Sequence, residues 1–394
     1  MEQSQLSLED DLERLLSEDI SSITEREKFS FNKTIELFNN TLVIFGAGSL
    51  GRKILAQLRK EGIEPIAFAD NNPNTWGKFI DGIKVFSPKE AAENFGAKAT
   101  FLVTIWNPGS HHQFKETKRT LISLNCQNVS SFVPFMWKYP EIFLPNCFLD
   151  LPHKIAEAKT EVKKAFSLLE DVESQATYIS QIKWRMLENF DTLRSRTSEI
   201  QYFPNFINLS NDEIFIDCGA YDGDTIRDFL SVTENSFKVI HAFEPDSFNF
   251  TNLTNYVKSL PAKEKIHLYQ NAVGIRSEIL RFQSTGTASS LLSASGGNEV
   301  QSISLDEVLK GKFPSFIKMD IEGAEIDALL GARSLITKFT PILAICVYHK
   351  QDHLWKIPLL IASLSKNYRF FLRAHKEEGW DLVFYAIPTD RLKV

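Results

Sequence analysis

The sequence predicts an α/β protein built from two doubly wound sheets. The first is small and N-terminal; the second is larger, C-terminal, and carries an antiparallel edge hairpin; a helical segment joins them. Three observations predict this. Short apolar runs of strand length alternate with helix-patterned segments in two separate stretches. Each stretch opens with a glycine-containing turn between a strand and a helix. The chain has 394 residues, enough for two or three domains at ~100–200 residues each.

Composition narrows the function classes. Fifty acidic against 44 basic side chains leave a net charge of −6, which argues against a protein that coats nucleic acid, since phosphate contacts need clustered basic residues. The chain is 43% apolar and holds 31 Phe, ample for buried cores and too much for disorder. No apolar run approaches the ~18–20 residues that span a bilayer. The opening Met1-Glu2-Gln3-Ser4 lacks a secretory layout. Cys126, Cys147, Cys218 and Cys346 are scattered, with neither metal spacing nor a dense disulfide framework. The expectation is a soluble cytoplasmic protein with no bound metal and no transmembrane segment; a homo-oligomer is an open possibility.

Residues 1–40 read as an acidic helical segment, with Leu8, Leu12, Leu15 and Leu16 at helical spacing. Such a segment either docks as an appendage or serves as a partner-binding arm. Residues 41–140 form the first sheet domain. Leu42–Phe45 reads as a buried strand, followed by a glycine turn and a helix through Leu58. Further strands are expected at Pro65–Ala69, Thr100–Ile105 and Val129–Val133. Residues 141–205 read as a helical linker, and its stretch from 152 to 195 contains no Gly and no Pro after Pro152. The second sheet domain, 206–394, has strand candidates at Ile214–Cys218, Val239–Phe243, His267–Leu268, Phe316–Met319 and Ile342–Tyr348. Tyr368–Leu372 and Leu382–Ile387, joined by a polar turn at Lys376–Gly379, suit an antiparallel hairpin on the sheet edge.

The two glycine turns call for different ligands. Gly46-x-Gly48-x-x-Gly51 follows a strand and opens a helix, and Asp70 ends the next strand. That is the dinucleotide fingerprint in its proper context, and it makes the first domain Rossmann-like. The turn carries no acidic side chain, so it suits phosphate at the helix N-terminus, with Asp70 accepting from ribose hydroxyls. NAD or a nucleotide sugar is the candidate ligand; packing of strand on helix is the alternative use of these glycines. No Tyr-x-x-x-Lys follows, which speaks against short-chain reductase or epimerase chemistry.

The second turn runs Asp217-Cys218-Gly219-Ala220-Tyr221-Asp222-Gly223-Asp224-Thr225. Its three carboxylates would repel a pyrophosphate. They suit a cationic ligand without phosphate, and S-adenosylmethionine, with its sulfonium and ammonium, fits. Asp217 is expected to face the ammonium, and the N–H groups of the turn, from Gly219 through Gly223, to take the ligand carboxylate. The next strand ends at Glu244-Pro245-Asp246, where ribose hydroxyls lie in nucleotide-binding α/β sheets.

With these residues in hand, the sequence resembles the FkbM family of S-adenosylmethionine-dependent methyltransferases. The resemblance rests on Phe215–Thr225, Ala242-Phe243-Glu244-Pro245-Asp246, Asn271-Ala272-Val273-Gly274, the serine stretch Ala288-Ser289-Ser290-Leu291, Ile317–Glu325 and Tyr348-His349. It implies a class I methyltransferase fold for the C-terminal domain and O-methylation of sugars, macrolides, glycans or related secondary metabolites. Position by position, it implies that Asp217, Gly219 and Gly223, with Ala220, Tyr221 and Asp222 between them, form the cofactor turn. Glu244 would be the ribose acid, and Asn271 and Ala272 would lie near the adenine. Asp320, Glu322 and Glu325 would line the same sheet edge.

Ligands of open α/β sheets bind beyond the carboxyl ends of the strands, so Asp320 and His349 are expected to point into one crevice. His349, expected to titrate near neutrality, is the candidate base for the acceptor hydroxyl, with His353 a weaker candidate. Asp320 is the second candidate catalytic residue; Asp320, Glu322 and Glu325 suit substrate or cofactor contact, a divalent cation or the start of the next helix, with contact ranked first for Asp320 and Glu322, capping first for Glu325 and a metal last. Lys318, facing away from Asp320 along its strand, is read as a salt-bridge partner. Ser289 and Ser290 sit in a polar stretch, Ser284–Gly297, of loop composition. Two other functions stay open: a cofactor-binding scaffold without turnover, and an NAD-dependent sugar-modifying enzyme working through the first domain.

Overall fold

The computed structural model describes residues 7–106, 112–283, 291–292 and 298–393. The chain divides into two compact units, one built from 13–157 with 182–193, the other chiefly from 158–181 with 194–394. The stretch 141–205 therefore forms no body of its own. Its helices His153–Glu157, Lys159–Phe166 and Val172–Leu187 are shared out between the two units. The N-terminal segment is helical over Leu8–Leu16 and Ile20–Glu36, and Asp19 caps the second helix by accepting from the N–H groups of Ser21 and Ser22.

The first unit holds strands β1 (Leu42–Phe45), β2 (Ala67–Ala69), β3 (Phe79–Ile80), β4 (Ile83–Phe86), β5 (Thr100–Val103) and β6 (Asn128–Ser131). They pair in the order β3-β4-β2-β1-β5-β6, parallel except for the β3–β4 hairpin. Every residue of β1 and β5 is buried, as central strands covered on both faces require. Strand β6 ends before the expected Val133. Ser131 Oγ accepts the N–H of Val133, and Pro134 then suits the first turn of the helix Val133–Lys138.

The second unit begins with β7 (Ile214–Cys218), β8 (Val239–Phe243) and β9 (Ile266–Tyr269). A separate four-stranded sheet follows: β10 (Ala272–Val273), β11 (Glu278–Gln283), β12 (Leu291–Leu292) and β13 (Asn298–Ile303). The main sheet resumes with β14 (Phe316–Met319), β15 (Ile342–Cys346), β16 (Tyr368–Ala374) and β17 (Leu382–Pro388). Its order is β16-β17-β15-β14-β7-β8-β9, and only β17 against β15 and β16 is antiparallel. The direction of connection reverses between β7 and β14, which makes their carboxyl ends the switch-point crevice of this sheet.

The four-stranded sheet is not anticipated from the sequence. Its apolar signal is thin: in β13 Ser302 takes an inward position beside Val300 and Ile303. Ser289 and Ser290 lie outside the described residues. Strand β15 stops two residues short of the expected Tyr348. That matters for the crevice, because adjacent residues of an extended strand point to opposite faces. Once the chain leaves the strand, Tyr348 and His349 both reach Asp320.

Candidate active site

Strand β7 feeds the glycine turn directly. Gly219 has φ +82°, and a Cβ there would sit 1.9 Å from the carbonyl oxygen of Asp320, so the turn can pack on the end of β14 only without a side chain. Gly223, also in the left-handed region, precedes the helix Asp224–Val232. Glu244, at the end of β8, ties the two ends of the crevice together. One carboxylate oxygen accepts the N–H of Tyr221 at 2.9 Å, the other the N–H of Asp246 at 2.9 Å. Burial pushes its carboxyl up to about 7, against the pull of those two bonds. Asp246 caps the helix Ser247–Ser259.

Asp217 is placed differently from its expected position. Its carboxylate is fully buried and pairs at 3.0 Å with Lys318 Nζ, itself buried, instead of opening onto the crevice. Lys318 also donates to the carbonyl of Gly219 at 2.7 Å. Facing Asp217 across the β7–β14 pair, it forms the expected salt bridge, but not by turning away from Asp320: residues two apart on a strand share a face, and Asp320 also supports its charge. Burial raises the Asp217 carboxyl above its usual range although Lys318 opposes this. Burial likewise works against a charged Lys318, yet Asp217 and Asp320 more than offset it and keep the ammonium protonated. The pair thus holds the turn rather than a ligand.

Ala220 is buried, whereas Tyr221 and Asp222 are half-exposed on the turn. Asp222 Oδ1 is buried with no hydrogen-bond partner among the described residues. Asn271 donates to the carbonyl of Gln301 at 3.2 Å, and Ala272 is buried in β10, both at the junction with the four-stranded sheet.

The second half of the crevice is a cluster of carboxylates, imidazoles and phenols. Asp320 Oδ2 accepts from the Tyr202 hydroxyl at 2.8 Å and Oδ1 from the Tyr348 hydroxyl at 3.2 Å. His349 Nε2 lies 3.3 Å from Asp320 Oδ1 and 3.6 Å from Glu322 Oε2. Its Nδ1 meets Glu325 Oε1 at 2.7 Å. Glu325 is fully buried; Oε1 also accepts the N–H groups of Ile321 and Gly323, and Oε2 faces His353 Nδ1 at 3.2 Å. Burial opposes its charge, but the two histidines hold it well below the usual carboxylate range. Glu325 is therefore more than a helix cap: it anchors His349.

The consequence for His349 departs from expectation. Burial lowers its affinity for a proton, but Glu325, then Asp320 and Glu322, raise it to about 9. At neutral pH the ring is an imidazolium, not a free base titrating near neutrality. Tyr202, in the left-handed region at φ +140°, went unnoticed in the sequence. It lies 118 positions from Asp320, in a stretch read as linker, and no local pattern announces such a contact.

In the first unit the glycine turn takes its expected place. Gly46 is at φ +114°, and a Cβ on Gly51 would lie 2.0 Å from the Gly46 carbonyl oxygen. Gly48 caps the helix Ser49–Lys60 without a side-chain bond. Asp70 is already engaged, accepting the N–H of Ala47 at 2.7 Å and that of Asn72 at 2.8 Å.

Comparison with known proteins agrees with this geometry. Residues 217–376 match the family model for the methyltransferase FkbM domain, and residues 38–94 match the model "C2185-like, N-terminal". A crystal structure of methyltransferase FkbM from Methylobacillus flagellatus superimposes with a TM-score of 0.77, covering 96% of this chain and 99% of its own at 20% identity. The UDP-D-quinovosamine 4-dehydrogenase of Vibrio fischeri matches 23% of this chain and 74% of its own, at 26% identity and a TM-score of 0.19. No curated protein matches. No described helix is long and apolar enough to cross a membrane. By its matched motifs and the crevice they build, residues 217–376 of the C-terminal unit form a methyltransferase domain of the FkbM type.

Proposed function

We propose that the protein is an S-adenosylmethionine-dependent O-methyltransferase acting on a hydroxyl of a sugar, a glycan precursor or a related secondary metabolite, in the cytoplasm. One observation carries the reading. The crevice at the β7–β14 switch point is lined by carboxylates (Asp222, Glu244, Asp320, Glu322), and the lysine beneath its glycine turn, Lys318, is consumed in the Asp217 pair. That donor set fits a cationic nucleoside and disfavours a diphosphate. The orphaned, buried Asp222 Oδ1 is a polar atom in want of a donor.

Glu244 would hold the ribose and the turn Gly219–Gly223 the amino-acid end, with Asn271 and Ala272 beside the base. Bound there, S-adenosylmethionine supplies a methyl group already activated by a sulfonium. The protein's own task is then chiefly alignment of the acceptor oxygen, a contribution of ~7–11 kcal/mol. Proton removal adds roughly 10²–10⁴-fold. Asp320, fixed by two phenols, is set to orient a hydroxyl beside the imidazolium of His349. Calorimetry with S-adenosylmethionine tests the reading, together with transfer of labelled methyl into a sugar-nucleotide pool. Absence of donor binding sinks it. His349→Ala and Asp320→Ala variants that bind donor but do not turn over separate an enzyme from a scaffold.

For the first unit the reading is a nucleotide site at Gly46, Gly48 and Gly51, for NAD or a nucleotide sugar. The close approach of Gly51 to Gly46 supports it, as does the absence of acidic side chains in the turn. Trp76, 41% exposed and donating to the carbonyl of Asp70 at 2.7 Å, is a built-in fluorescence reporter for an NADH titration.

A further inference from the structure

We propose that Glu322, not His349, accepts the proton of the acceptor hydroxyl, and that His349 is a positioning residue clamped between Glu325 and the crevice. The assignment rests on the methyltransferase reading above. Three carboxylates converge on His349, and they differ in what they have left to offer. Glu325 is sealed by two backbone N–H groups and two histidines. Asp320 already accepts from Tyr202 and Tyr348, one on each oxygen. Glu322, with a side chain 24% exposed, has no hydrogen bond among the described residues and only the 3.6 Å approach of His349 Nε2 to one oxygen. Asp320 is as exposed, at 25%, but each of its oxygens already holds a phenol, whereas Glu322 keeps both oxygens free of hydrogen bonds among the described residues.

The backbone supports this. Glu322 sits at φ +54°, a left-handed conformation that a residue with a side chain adopts only at a cost. The N–H groups of Ile321 and Gly323, on either side, donate to Glu325 Oε1 and hold it there. Facing Glu322 are His349, Asp320, Glu325 and, from the turn between β16 and β17, Asp381, which is paired with Lys376; the Lys350 side chain packs on the neighbouring Gly323. Burial, joined by Asp320, Glu325 and Asp381, outweighs His349 and pushes the Glu322 carboxyl up to about 7, a value suited to proton transfer at neutral pH. The balance is simple: the acceptor oxygen gains the methyl, its proton moves to a Glu322 oxygen, and the pair of the broken S–C bond stays on sulfur. His349, holding its own proton on Glu325, cannot take another.

The test uses the full chain labelled with 13C-carboxyl glutamate and 15N-histidine, as wild type, Glu322→Gln and Glu322→Asp. The His349 ring is expected to stay imidazolium through pH 8, losing its proton near 9. One glutamate step near pH 7 should be missing in Glu322→Gln. With S-adenosylmethionine and a panel of methyl glycosides, kcat of Glu322→Gln should fall roughly 10²–10⁴-fold, with Glu322→Asp recovering part of it. The kcat/KM of wild type should rise through pH 7 and fall near 9. A His349 ring neutral at pH 7, or a Glu322→Gln enzyme with unchanged turnover, overturns the assignment while leaving methyl transfer standing. If wild type itself binds no donor by calorimetry, the methyltransferase reading and this assignment fall together. Should Glu322→Gln not fold, the wild-type His349 titration and the turnover of Glu322→Asp still decide.

Discussion

Removing Lys318 probes the link between fold and cofactor turn directly. Lys318→Met keeps the length and the apolar stem of the side chain but deletes the ammonium that pairs with Asp217 at 3.0 Å and holds the Gly219 carbonyl at 2.7 Å. Asp217 is fully buried, so the variant leaves an uncompensated carboxylate in the sheet, a loss of ~3–5 kcal/mol. A domain is stable by only ~5–15 kcal/mol, and for one of this size each kcal/mol moves the midpoint by ~2–4 °C, so Tm should drop by roughly 6–20 °C. The pH dependence carries a definite sign. Without Lys318 the Asp217 carboxyl rises further above its unfolded value, so the variant's deficit is smallest in acid, where Asp217 binds a proton, and grows as pH rises through the folded value. Chemical denaturation at several pH values measures this. Asp217→Asn combined with Lys318→Met should be more stable than Lys318→Met alone, because no buried charge remains. A single variant that loses under about 1 kcal/mol, or a deficit that does not shrink in acid, refutes the reasoning. Donor affinity should fall as well, since the Gly219 turn loses its strut.

Gly219→Ala should abolish donor binding and destabilise the C-terminal unit, because its Cβ would overlap the Asp320 carbonyl at 1.9 Å; near-normal calorimetry would contradict this. Glu244→Gln replaces an acceptor of two backbone N–H groups with an amide that offers one oxygen, and should weaken donor binding tenfold or more, about 1.4 kcal/mol. Because the Glu244 carboxyl is raised to about 7, its contribution to stability is present in acid and lost between roughly pH 4.5 and 7. The Glu244→Gln variant should therefore lose less stability than wild type across that window in denaturation curves. Tyr202→Phe deletes the 2.8 Å bond to Asp320 and should lower kcat more than it raises KM; equal activity of the two proteins would remove Tyr202 from the site.

Most strands of the two main sheets (though not the β3–β4 hairpin), the two glycine turns and the edge hairpin were legible in the sequence because each is local. Buried β-branched and aromatic runs announce strands β1, β7, β14 and β15, and glycines that must approach a neighbouring backbone stand where the turns need them. The motif residues Asp217, Glu244, Asp320 and His349 were likewise visible as types at strand ends. The four-stranded sheet was not, since its strands are short and one inward position is a serine. Nor could the sequence reveal what each acid does. Asp217 turns inward to Lys318 across a strand pair, Glu325 is sealed by two histidines, and Tyr202 arrives from 118 positions away. Local pattern determines which elements form and which end of the sheet bears the chemistry. Burial and long-range pairing set the charge of each group, and those exist only once the chain is packed.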